Sequence, residues 1–396
     1  MVVGAGGRRV LLPVYLASLG TWAAYALVIV VLPFRFQQLD LSVVEYGTAL
    51  AIYALGALVT ESLWGYLAFR IGSSRSLGLL AALTVMPMIA LGFARSFPVF
   101  GLLLGLYGML VVYSTPLIRW VGMSAGGPGK EGRGLGRLGL FFGAGLSAGT
   151  AVGPLLYSIG GFWLNIYVGT AVFVASTVPL LLVPWGSVPL PRSRVRGRSS
   201  LRAVLERRFL LAIVLVVLYF MVYALVTNFL QYYSIRLFHG TVEETGYVIG
   251  GARAVALLVG ILMGSTVDRW GPGRAAPAGF LLLVAGAVGS WASGDYQSMT
   301  VATLVLAAGA GWLGVTLLPM ALSRVAPVNQ GTAVGVFGSF EDLGLIIGPV
   351  LLGVVYSALG PRQLFPVVAA LALAGTALSL GGVRARPGSR EAPAHA

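Results

Sequence analysis

The chain has no cysteine and only two histidines in 396 residues. Without cysteine there are no disulfides and no thiolate metal sites, and the redox compartment is unread. The histidines, His239 in an expected loop and His395 in the tail, put no imidazole inside an apolar run, so proton chemistry there falls to carboxylates. Charge is scarce too: 10% of residues are charged, where a soluble domain carries roughly 25%. No metal-ligand cluster and no nucleophile–base set occurs, and the glycine-rich stretch 126–136 lacks the lysine–hydroxyl pair of a phosphate loop. An enzyme is therefore the weakest reading, no cofactor or metal is expected, and the energy for any work must come from an ion gradient or from the solute's own.

What the chain has in abundance is apolar surface. Hydrophobic residues make up 58% of it and its mean hydropathy is +0.91, so its solvent is a lipid bilayer. The 56 glycines sit inside apolar runs, where small residues let helices approach closely. A crossing needs about 20 apolar residues. Twelve runs qualify as candidates: Val10 to Pro33, Tyr46 to Phe69, Leu77 to Gly92, Pro98 to Val121, Leu138 to Ile159, Leu164 to Trp185, Phe209 to Leu230, Thr245 to Val267, Ala275 to Trp291, Ser298 to Leu322, Thr332 to Tyr356 and Pro361 to Gly382. The third and ninth are the weakest. The first lacks a small-residue cleavage site and reads as a retained span. The fold class is all-α integral membrane.

The arginines are segregated. One set of alternate loops and both termini hold nearly all of them, including Arg70, Arg75, Arg119, Arg137, Arg269, Arg274, Arg324 and the run from Arg192 to Arg208. The other set holds only Arg35, Arg95, Arg236 and Arg362, beside Asp40, Glu45, Glu243, Glu244 and Asp295. The bias predicts a multi-pass protein of the cell membrane with both ends cytoplasmic. It also accounts for the net charge of +14 through topology and anionic lipid, with no nucleic-acid partner. The longest polar stretch, rich in Pro and Arg, divides the chain into an N-terminal six-helix bundle (1–185), a basic cytoplasmic linker (186–208), a C-terminal six-helix bundle (209–382) and a tail (383–396).

The two halves repeat each other. The segment from Gly65, GYLAFRIGSSR, returns from Gly264 as GSTVDRWGPGR, and Gly149-x-x-x-Gly153-Pro154 returns as Gly344-x-x-x-Gly348-Pro349 at nearly the same offset. Two paired motifs in register with twelve spans resemble the major facilitator superfamily over essentially the whole chain. That resemblance implies two pseudo-symmetric six-helix bundles and marks the loops after spans two and eight as gating loops: Gly65, Arg70, Gly72 and Arg75 in one copy, Gly264, Asp268, Arg269, Gly271 and Arg274 in the other. The Gly145–Gly161 stretch resembles the fifth-span signature of the family's antiporters. Two departures stand out: Phe69 occupies the aspartate position of the first loop, and the fourth span has no charge from Leu104 to Tyr113. The resemblance places Asp268 against the start of span five, so the loop latch is expected to be one-sided.

Ionisable residues inside apolar runs are costly and point to function. Glu61, Arg253, Glu341 and Asp342 qualify, each on a helix stripe of small residues. They are the candidate proton and ion pathway, with a structural tie to backbone or hydroxyl groups as the alternative for each. Spans two and eleven are neighbours in the resembled fold, which would bring Glu61 close to Glu341. The cavity that the resemblance implies, lined by spans one, four, seven and ten, draws on Trp22, Tyr25, Tyr107, Tyr113, Tyr223, Thr227, Asn228, Gln231 and Trp312. Rings with a few amides suit a large, partly apolar or cationic ligand, although such a stripe also serves plain packing. Pro116 and Pro319 hold matching places where a kink would act as a hinge.

The leading reading is a monomeric secondary active transporter working by alternating access, with proton-coupled efflux of a small apolar or cationic compound ahead. Uptake of an organic anion or sugar is the alternative, with Arg253 favouring an anion. From another class, a transport-inactive receptor of the same fold remains.

Overall fold

The computed structural model describes residues 7–70, 73–126, 131–183, 185, 207–323, 325 and 330–384, and those residues are almost wholly helical. In lipid each apolar run must satisfy its own backbone, and a helix does so. The helices are α1 (Gly7–Ile29), α2 (Leu32–Gln38), α3 (Val43–Arg70), α4 (Ser73–Ala90), α5 (Phe97–Val111), α6 (Thr115–Gly126), α7 (Glu131–Leu181), α8 (Arg207–Ala224), α9 (Leu230–Phe238), α10 (Val242–Trp270), α11 (Pro272–Ala292), α12 (Tyr296–Leu322), α13 (Gln330–Leu359) and α14 (Leu364–Arg384). The linker up to residue 206 and the tail from residue 385 lie outside the described residues.

Helix α7 is 51 residues long, which as a straight rod would reach about 75 Å, over twice the hydrocarbon core of a bilayer. It is two arms. At Gly161 the backbone takes φ 65° and ψ −166°, a conformation that favours glycine. Before that turn Gly145, Gly149 and Gly153 meet Leu19, Ala23 and Leu27 of α1 in rising order; after it Gly169 meets Val28 and Ser176 meets Gly20, in falling order. The first arm is thus parallel to α1 and the second antiparallel. Asn165 ties the turn down: its Nδ2 donates to the carbonyls of Leu27 and Gly153, each at 2.8 Å.

Among the described residues, ten helices are long and apolar enough to cross a membrane, one of them the 45-residue stretch of α7. Counting its arms separately and adding the shorter apolar helix Leu77–Phe93 gives twelve crossings. Span one is α1 with α2, span four is α5 with α6, and span seven is α8 with α9.

The halves are built alike. Gly145 and Gly149 seat the fifth span on α1 at Leu19 and Ala23, and Gly344 seats the eleventh on α8 at Val217 while Gly348 meets Met221. Gly108 lies against the Tyr53 carbonyl, Gly311 against that of Ala256. Both second spans also begin with a reciprocal cap. In one the Ser42 amide donates to Glu45 Oε2 at 2.7 Å and the Glu45 amide to Ser42 Oγ at 3.2 Å. In the other Thr241 and Glu244 do the same at 2.9 and 3.1 Å.

Two departures from regular helix interrupt spans four and seven. A 3-10 turn at Val112–Ser114 separates α5 from α6 just before Pro116, which has no amide hydrogen to continue the ladder. Its counterpart Pro319 sits inside α12, which runs on unbroken. A π segment at Leu225–Phe229 joins α8 to α9.

Candidate functional site

The two halves meet tightly at one end. Gly47 of α3 lies on the Pro349 carbonyl of α13, and Gly353 on Val43 and Val44. Across the other seam Gly246 of α10 meets Pro154, and Gly250 meets Ala151. Tyr46 packs on Phe229 and Tyr232, ring centroids 5.8 and 5.6 Å apart. Tyr232 donates to the Pro33 carbonyl at 3.5 Å and Gln231 Nε2 to that of Val30 at 3.4 Å. These are long, weak hydrogen bonds, so packing supplies most of the seal.

At the other end the halves part. Gly139, Gly264, Gly335 and Gly338 have open space where a methyl group would stand. Between the first arm of α7 and helices α8, α10 and α12 lies a cavity of about 800 Å³, running from Arg253 out to Arg137 and Gly264. Its mouth is therefore at the arginine-bearing end. Its walls include Phe142, Leu146, Tyr219, Tyr223, Leu257 and Val315. Polar groups on it are few, and Tyr219 already donates to the Ala310 carbonyl at 3.1 Å. A smaller pocket of about 240 Å³, lined by Ser18, Thr21, Trp22, Ser114 and Arg119, shares Gly139 and Phe142 with it.

Arg253 is 8% exposed. Its Nη1 donates to Thr150 Oγ1 at 2.6 Å, a bond from the C-terminal half to the N-terminal one. Its Nε is buried with no partner among the described residues. Glu341 and Asp342, half-buried on α13, lie within electrostatic reach of different halves: Glu341 acts on Tyr219 and Asp342 on Tyr53.

The aromatic candidates divide. Tyr223 lines the large cavity and Trp22 the small one, with Trp22 edge-on to Phe142 at 4.6 Å. Tyr25, Tyr53 and Tyr107 form a tilted ladder with centroids 5.3 and 5.9 Å apart. Tyr107 and Tyr113 are fully buried. Thr227 donates to the Tyr223 carbonyl at 3.1 Å, and Asn228 is buried beside it in the π segment; with Gln231 they belong to the sealed end. Trp312 is on the wrong face of α12 for the cavity: its indole donates to the Ala275 carbonyl at 3.0 Å, while Ala310, Gly311, Gly314 and Val315 form the wall. Sequence reasoning did not single out Tyr53, Tyr219 or Thr150. One turn separates Tyr219 from Tyr223, and that spacing was the available signal.

Of the gating-loop residues, Gly264 lines the cavity, Arg269 and Arg274 are exposed, and Gly271 turns the chain from α10 into α11 at φ 80°. Gly65 lies in α3 near its end. Gly72 and the side chains of Glu61, Arg70, Arg75 and Asp268 are outside the described residues, as is that of Phe69. Gly47 opposite Pro349, and Gly353 opposite Val43, set an antiparallel register between α3 and α13 at the sealed end; the expected approach of Glu61 to Glu341 turns on a side chain outside the described residues. For the packing set, Gly149 and Gly153 bear on α1, Gly344 and Gly348 on α8, Pro154 on Gly246 and Pro349 on Gly47.

The sequence profile of the Major Facilitator Superfamily matches residues 14–289 and 236–396. An uncharacterized transporter of Sinorhizobium fredii is 25% identical over 377 residues, 88% of this chain and 90% of its own. A probable nitrate/nitrite transporter of Mycobacterium tuberculosis is 24% identical over 367 residues, 87% and 88% of the two chains. Among solved structures, a bacterial homologue of the human lysosomal transporter Spinster, inward-facing and occupied, has a TM-score of 0.80 at 16% identity over 97% of this chain and 98% of its own. A point mutant of the nucleoside transporter NupG gives 0.78 at 12% identity over 94% and 99%.

Proposed function

The chain belongs to the Major Facilitator Superfamily, and from that premise we propose that it is a proton-coupled secondary transporter carrying a small organic solute by alternating access. The observation that carries this reading is the cavity of about 800 Å³ between the halves, open at the arginine-bearing end and sealed at the other. A volume of that size suits a drug-sized organic molecule. The seal is made mainly of small residues and rings, with the bond from Arg253 to Thr150 at its edge. The arginine-bearing end faces the cytoplasm in this reading, following the charge bias.

Coupling falls to Glu341 and Asp342. They sit on one helix, adjacent in sequence, and act on tyrosines of opposite halves. Protonating Asp342 removes a charge that reaches the opposite half, which favours one arrangement over the other. Gly149 and Gly153, within the stretch that resembles the antiporter signature, seat the fifth span on α1, a packing role that serves either direction.

The test is flux in liposomes of purified protein, using radiolabelled solutes from a binding screen. Glu341→Gln with Asp342→Asn is expected to abolish accumulation driven by a pH gradient while exchange at equal pH survives, because exchange moves no net proton. Undiminished gradient-driven accumulation in the double variant would remove these carboxylates from the coupling path.

A further inference from the structure

We infer that the solute is an organic anion with an apolar body, and that Arg253 receives its charge; the inference rests on the transport reading above. A guanidinium does not deprotonate in a protein, and a charge at bilayer depth is costly unless a partner is close. Arg253 nevertheless lies at the cavity wall, 8% exposed, with Nε unpartnered among the described residues. Its hydrogen-bond acceptor, Thr150, supplies a neutral oxygen, which orients the guanidinium without balancing its charge.

Thr150 is already committed elsewhere. Its hydroxyl donates to the Leu146 carbonyl at 2.7 Å, so toward Arg253 it is purely an acceptor, in the place an anionic oxygen would take. A carboxylate or sulfonate makes a charge-assisted bond of about twice the strength of a neutral one and has a second oxygen for Nε. Such a ligand displaces Thr150 from the guanidinium. In doing so it exchanges a bond between the two halves for a bond to itself, so occupancy is linked to the seam.

The rest of the wall sets the body of the ligand. Toward the mouth the cavity passes Leu146, Gly143, Leu257, Gly260, Ile261 and Val315, which offer hydrocarbon and no hydrogen bonds from their side chains. A bare inorganic oxyanion would leave most of about 800 Å³ unfilled. An organic cation would meet the guanidinium at the deep end, and like charges there repel.

The experiment compares probes alike in shape and unlike in charge: naphthalene-2-sulfonate, naphthalene-2-sulfonamide and a naphthylmethyl trimethylammonium. Binding to the purified protein is measured by calorimetry, and flux in liposomes in parallel. The sulfonate is expected to bind about tenfold or more tightly than the sulfonamide, with the ammonium weakest. Arg253→Gln should erase the difference, Arg253→Lys should keep part of it, and Thr150→Val should tighten the sulfonate alone. Equal affinity for sulfonate and sulfonamide in the wild type overturns the inference, whatever the variants do. So does an undiminished sulfonate preference in Arg253→Gln with wild-type thermal unfolding. Sulfonate-selective binding without flux would count against the transport reading and leave the anion site standing; ammonium flux without anion preference would do the reverse.

Discussion

Asn165 is fully buried, and its amide donates to two carbonyls, one on α1 and one on the preceding arm of α7. Asn165→Leu keeps the branched outline of the side chain, in a somewhat larger volume, and removes both bonds. At about 1 kcal/mol net for each bond, the protein should lose on the order of 2 kcal/mol, read as a lower thermal midpoint in detergent. An unchanged midpoint would mean the hairpin is held by packing alone. At this scale the sequence was half legible. Arg253 stood out because a charge in an apolar run is conspicuous, and the structure gives it a place at the cavity wall. Trp312 misled because a ring in an apolar helix carries no mark of which face it is on, and α12 has small or apolar residues on several faces. Tyr53 and Thr150 went unseen because their roles depend on partners far away in sequence.

Among the elements, the fifth and sixth spans were readable as separate runs, and Gly161 falls in the gap between them. The paired caps Ser42–Glu45 and Thr241–Glu244 were equally present in the sequence, as S/T-x-x-E before an apolar run, and they repeat the internal symmetry more closely than the loop motif does. The π segment Leu225–Phe229 was not readable, since it depends on how the backbone accommodates one extra residue. The π turn absorbs that residue, so α9 keeps its face, and with it Gln231 and Tyr232 of the sealed end. Inserting one alanine after Phe229, beyond that turn, should rotate α9 by about 100°, one residue of a 3.6-residue turn. Cysteine in place of the buried Gln231 should then become reactive to a water-soluble thiol reagent while it stays protected in the protein without the insertion. Protection in both would show that the face of α9 does not set the seal.

For the molecule as a whole, composition dictated the bilayer, and the repeat dictated two halves. What the sequence left unsaid is which end is closed, because the same glycine stripes serve a sealed seam at Gly246 and Gly250 and an open wall at Gly260 and Gly264. Packing against the opposite half decides between them, and it must change if the protein works by alternating access. The central claim is that the sealed end, where Tyr46 of one half meets Tyr232 of the other, opens in every transport cycle. Because the chain has no cysteine, a single pair can be introduced without background. The double variant Tyr46→Cys with Tyr232→Cys, bridged by a short bifunctional thiol reagent that reduction cleaves, should bind solute from the arginine-bearing end yet carry none across a liposome membrane, and cleavage should restore flux to the level of the untreated double variant. Full flux in the fully cross-linked protein would contradict the account.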